Sequence, residues 1–146
     1  MALTTENPAH EVCVEIVKFL RNLAPALGLD EGQIREVLDV SGQPKDLAGI
    51  TVGVADKGDH PGCVGRVLVD VEPTITIWTH INDDADGSLC NTIAGAVLAN
   101  ITSITYNCPS WRVAFKGSWS MTAPTAADAY RAIRISATLP LVRGGR

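Results

Sequence analysis

Val67-Leu68-Val69-Asp70-Val71-Glu72-Pro73-Thr74-Ile75-Thr76-Ile77-Trp78-Thr79-His80-Ile81 alternates apolar and polar residues for longer than any other stretch of this chain. The odd positions are Val67, Val69, Val71, Pro73, Ile75, Ile77, Thr79 and Ile81, and the even ones include Asp70, Glu72, Thr74, Thr76 and His80. Successive side chains of an extended strand point to opposite faces, so the pattern predicts one or two strands with one face on a core and the other in water. Pro73 has no N–H to give to a ladder and marks a bend, a bulge or an edge position.

Upstream, Ile50, Val52 and Val54 alternate in a first strand, and the turn formers of residues 57–62 predict an exposed loop after it. Downstream, a polar connection over 83–88 leads to Leu89, Ile93, Ala96, Val97 and Ile101 at helical spacing. Trp111, Val113 and Phe115 alternate in the next strand, and Ile133, Ile135, Ala137, Leu139 and Leu141 in the last. Between these two, residues 117–128 either extend a strand or swing out as an arm. At the other end, Asn7 before Pro8 reads as a helix cap with proline in the first turn, where its missing N–H has no helical partner to lose. Val12, Ile16, Phe19, Leu20 and Leu23 form the core stripe of that helix, with Glu11, Glu15, Lys18 and Arg21 turned away from it. Pro25 and Gly28 close it. Asp30 with Gln33 has the spacing of a capping box and predicts a second short helix through Leu38, before a break at Ser41-Gly42-Gln43-Pro44.

Strands that follow one another without intervening helices favour an antiparallel or mixed sheet over a doubly wound one. The expectation is one α+β domain over residues 1–146, with N-terminal helices in 1–40 and a sheet plus central helix in 50–142. The sheet has four to five strands, mixed or antiparallel, with helices packed mainly on one face.

Composition narrows the function classes. With 46% hydrophobic and 19% charged residues in 146, the chain can fill a core, and a formal charge of −4 argues neither for a membrane surface nor for sequence-specific nucleic acid binding. No window approaches the roughly 18 apolar residues of a membrane span, and the first residues lack the basic and apolar regions of a secretory signal, so a cytosolic product is expected. Cys13, Cys63, Cys90 and Cys108 are too dispersed for a clustered zinc site and read as buried, reduced thiols.

Three groupings could carry chemistry. Asn82, Asp84 and Asp86 with Gly87 start like a calcium loop, but the twelfth position is Ile93, which has no oxygen to give. Asp84, Asp86 or Ser88 then serves as a cap for the helix that follows. Asp59, His60 and Cys63 could pair an imidazole with a thiol, yet the intervening Pro61-Gly62 reads as a surface turn. His80 shares a strand face with Trp78 and Glu72. The common nucleophile-elbow, phosphate-loop, zinc-helix and dinucleotide signatures are absent. A small enzyme or metal-dependent binder using His60, Cys63 or His80 remains the alternative, but no catalytic residue, cofactor or metal is assigned.

The strand ending in Ile75-Thr76-Ile77-Trp78-Thr79-His80, the acidic turn, the helix after it and the late strand Tyr130-Arg131-Ala132-Ile133-Arg134-Ile135-Ser136 resemble the tail terminator and related head–tail joining proteins of long-tailed bacteriophages. The likeness covers about two-thirds of the chain and lies in element order, not in an invariant motif. It implies a virion structural protein, assembled in the host cytoplasm, that forms a ring of its own copies, commonly six. Such a ring caps the tail tube, touching the tail tube protein on one side and the head connector protein on the other. A closed ring needs two different patches that fit each other. Trp78, Trp119 and Met121 are the candidate interface residues, the last two on the 117–128 segment, since exposed aromatic and Met side chains are enriched at interfaces. Trp111, in phase with Val113 and Phe115, reads as core. Arg112, Lys116, Arg131 and Arg134 could line a lumen but define no site.

Overall fold

The computed structural model describes residues 7–36, 48–127 and 129–144. Helix α1 (Pro8–Leu27) begins as its sequence dictates: the Asn7 side chain accepts the His10 N–H at 3.1 Å, and Gly28, at φ 73°, ends it. Val12, Ile16 and Leu20 are fully buried. Glu11 and Glu15 are buried as well, contrary to the expectation from the stripe. Residues 107–110 pass over the flank of α1, and Glu15 Oε1 accepts the Asn107 N–H at 2.9 Å while Glu11 Oε1 accepts that of Ser110 at 3.0 Å.

The second helix expected over 30–38 is not formed in the described residues. Gln33 does reach back to the Asp30 N–H at 2.7 Å, but this closes only a single 3-10 turn (Glu31–Gln33), after which β1 (Ile34–Glu36) runs parallel to β2 (Ala48–Asp59). Sheet pairing overrides the local helix signal because it buries Ile34 completely against Ile50, and the Arg21 guanidinium and Gln33 amide hold the turn through Ile34 O and Ala48 O. Leu38 and the break at 41–44 lie outside the described residues.

β2 continues to Asp59, through much of the expected loop, by way of a bulge between Asp56 and Gly58. β3 (Leu68–His80) is one uninterrupted strand whose odd positions from Val69 to Thr79 are all buried and whose even ones are half-exposed, as alternation predicts. It pairs antiparallel with β2 on one side. On the other it pairs with β7 (Tyr130–Ser136) and β8 (Leu139–Arg143), which share one register interrupted opposite Pro73. Three short strands complete the sheet: β4 (Trp111–Val113) on β8, and β5 (Ser120–Met121) and β6 (Thr125–Ala127) on β7. Within the 117–128 segment, residues 120–121 and 125–127 thus add to the sheet edge and do not stand off as an arm, and Asp128 lies outside the described residues. Phe115 lies beyond the end of β4 and is exposed, while Trp111 is buried as expected.

α2 (Ser88–Ile101) lies beside α1 over the buried face of the sheet, and one apolar cluster joins α1, β1–β3, α2, β7 and β8. The protein is an α+β fold with a mixed, curled sheet, its helices on one side and its other face open. Among the described residues no helix is long and apolar enough to cross a membrane.

Candidate interaction surface

Helix α2 begins with N–H groups that have no partner inside the helix, and buried Asp84 supplies one. Its carboxylate accepts from Leu89 N and Cys90 N, each at 2.9 Å, and from the Thr79 hydroxyl at 2.9 Å, which ties the end of β3 to the start of α2. Arg131 Nε donates to Asp84 O at 3.0 Å, and the same guanidinium donates to Ala85 O. Asp86 accepts the Ser88 N–H at 3.0 Å. Burial pushes the Asp84 carboxyl up, but the Cys90 and Leu89 amides, the Thr79 hydroxyl and Arg131 outweigh it and hold the group below its ordinary value. The segment that begins like a calcium loop is a helix cap.

The open face of the sheet carries mostly small side chains along its three central strands. Across β2, β3 and β7 the ranks read Gly49–Trp78–Ala132, Thr51–Thr76–Arg134 and Gly53–Thr74–Ser136. Trp78 and Arg134 are the large side chains of this set, and Trp78 is its one aromatic ring. It meets Tyr130 edge-to-face at 5.5 Å between ring centroids, and Tyr130 in turn meets His80 at 5.1 Å. A Cβ on Gly49 would lie 2.4 Å from the indole, so the ring rests directly on the glycine backbone. His80 Nδ1 accepts the Asn82 N–H at 3.1 Å and caps the turn after β3.

At the opposite end of β3, the β2–β3 hairpin is mostly exposed over residues 55–67. His60 Nδ1 is 2.8 Å from Asp70 Oδ1, Arg66 donates to Asp56 Oδ2 at 2.8 Å, and the Arg66 N–H donates to Asp59 Oδ1 at 2.9 Å. The Arg66 hydrogen bond holds the Asp56 carboxyl below its usual range. Arg66 itself adopts φ 55°, a left-handed conformation uncommon for a residue with a side chain, and these bonds hold it there. The three titratable candidates from the sequence therefore do not form one centre: His60 is committed to Asp70 at the hairpin, and His80 lies at the far end of β3. Among the described residues no group of three or more His, Cys, Asp and Glu side chains is arranged to hold a metal.

Of the candidate interface residues, Trp78 lies on the open face and Met121 on exposed β5, whereas Trp119 turns inward and packs on the core. Beside Trp119 is a pocket of about 170 Å³ walled by Ile101, Ile104, Tyr106 and Leu139, with exposed Thr102 and Lys116 at its margin. Gly117 lets the chain lie this close, since a Cβ there would meet Thr138 O at 2.6 Å. The basic residues do not converge: Arg131 serves the α2 cap, while Arg112 and Arg134 lie exposed on different strands. Sequence reasoning missed this pocket and the exposed tip residues Val64 and Val67; the turn-rich 57–62 stretch was their only signal.

Burial raises the thiols of Cys13 to about 11, Cys108 to about 12, and Cys90 in the same direction. Cys63, expected to be buried like the other three, is instead partly exposed because it lies on the hairpin turn. Since the thiolate is the reactive species, iodoacetamide at pH 8 should modify Cys63 alone in the folded protein and all four cysteines in denaturant. Mass spectrometry of the alkylated chain checks this, and rapid labelling of Cys13 or Cys90 would contradict the packing around α1 and α2.

No protein-family model matches the chain, and no curated protein does. Solved structures do. One chain, known only by a sequence identifier, aligns over 94% of both chains at 14% identity with a TM-score of 0.59. Another, from the virion of a native gene transfer agent particle, aligns over 96% of this chain and 100% of its own at 16% identity with a TM-score of 0.68. This protein shares its complete fold with a component of a virion.

Proposed function

We propose that this chain is a virion structural protein that assembles with its own copies into a ring, caps the tail tube and joins tail to head. Its partners are the tail tube protein and the head connector protein, it is assembled in the host cytoplasm, and it performs no catalysis. The observation that carries this reading is the fold match with a virion component, which runs over 96% of this chain and 100% of the other. The shape agrees with it. An open sheet face on which Trp78 stands among mostly small side chains, and an exposed hairpin, are surfaces suited to protein contact.

Light scattering on a sizing column over a hundredfold range of concentration tests the proposal. The expected result is a species near six times the 15.5 kDa chain mass, or one that grows toward it with concentration. A monomer at every concentration would count against self-assembly.

A further inference from the structure

Val64 and Val67 are 82% and 61% exposed at the tip of the β2–β3 hairpin. Single exposed valines are ordinary, but these two are held on a prearranged turn. His60 N donates to Leu68 O at 2.9 Å, Cys63 N to His60 O at 2.9 Å, and Arg66 is fixed by Asp56 and Asp59. A tip already fixed in one conformation loses little freedom on docking. The same chain carries a cavity that none of the described residues fills, the pocket beside Trp119, with Phe115 66% exposed two residues before Gly117. Its volume suits a branched aliphatic side chain.

The charges also match. From Asp56 to Glu72 the hairpin carries Asp56, Asp59, Asp70 and Glu72 against Lys57 and Arg66, a net of −2 with His60 neutral. Both of those cations are already paired with hairpin carboxylates, whereas Lys116 at the pocket margin makes no ion pair among the described residues. The tip and the pocket do not meet within one copy, so a contact between them joins two copies through different patches, the kind of contact that propagates into a ring.

We infer that the hairpin tip of one copy seats Val64 in the Trp119 pocket of the next, with Asp59 facing that copy's Lys116. This rests on the ring reading above and names its interface. The occupant is a second copy of this chain; a different virion protein in the same pocket is an outcome the experiment distinguishes.

Three variants test it, with thermal melts confirming that each folds. Val64→Asp should raise the concentration needed for half-assembly by about tenfold or more, as expected for loss of a central contact. Thr102→Cys places a thiol at the pocket margin, and with native Cys63 it should give a ladder of disulfide-linked multimers under copper-phenanthroline. Adding Cys63→Ser should abolish the ladder. Lys18→Cys, on the outer side of α1, reports random collision and should give none. If the wild type assembles while Val64→Asp assembles equally well and Thr102→Cys crosslinks no more than Lys18→Cys, the interface is wrong and the ring reading stands, with the pocket left to another protein. A wild type that is monomeric throughout, with no Thr102→Cys ladder, overturns both.

Discussion

Gly49→Ala should lower the melting temperature by about 6–9 °C, because overpacking at a fixed site costs about 2–3 kcal/mol and a chain of this length loses about 3 °C per kcal/mol. The added carbon would lie 2.4 and 2.8 Å from two ring atoms of Trp78 and 2.9 Å from the backbone oxygen of Gln33. The indole cannot swing away freely, since the Tyr130 ring packs against it at a steep angle and Ala132 is its neighbour in the ladder. Trp78→Ala removes two of those three clashes. The double variant should therefore be more stable than the sum of the single losses predicts, by about 1 kcal/mol or more. Urea melts of the four proteins measure the coupling directly. Strict additivity would mean that the indole does not rest on Gly49 in solution.

That pairing also marks how far the sequence could be read. Strand β3 was legible because alternation is a local property: each of its side chains meets core or water according to its own position. The cap at Asp84 was legible for the same reason, since its carboxylate acts on N–H groups five and six residues away. What stayed hidden depends on partners distant in sequence. Nothing in residues 30–36 shows that Ile34 will pair with Ile50, and the helix signal there is a true capping interaction that closes one turn before the sheet takes over. Glu11 and Glu15 belong to the polar side of α1 until a loop 92 to 99 residues later lies across them and uses their oxygens. The candidate surface divides along the same line. Trp78 sits on the open face as its strand phase requires, but the direction of Trp119 is set by the close approach of Gly117 to Thr138, which no local pattern reveals.

Asp84→Ala should have a comparable effect by a different route. It would leave the Leu89 and Cys90 amides and the Thr79 hydroxyl without their acceptor at a buried site, a loss of about 2–4 kcal/mol, or about 6–12 °C in melting temperature. Asp84→Asn keeps one acceptor oxygen and should lose about half as much. The charge gives a second signature. Because the folded carboxyl titrates below its ordinary value of 3.8, its stabilising contribution is complete above the unfolded pKa and disappears as pH falls through the folded one. The stability gap between wild type and Asp84→Asn should therefore be constant from about pH 7 to pH 5 and close as pH falls below about 4, where the wild-type group takes up its proton. Urea melts at pH 7, 5 and 3 read the gap, and Asp56 and Asp86, whose carboxyls are also held low, contribute equally to both proteins and cancel. A gap unchanged at pH 3 would show that shape and not charge is what Asp84 contributes. A closing gap would show that the ion itself holds β3 to α2.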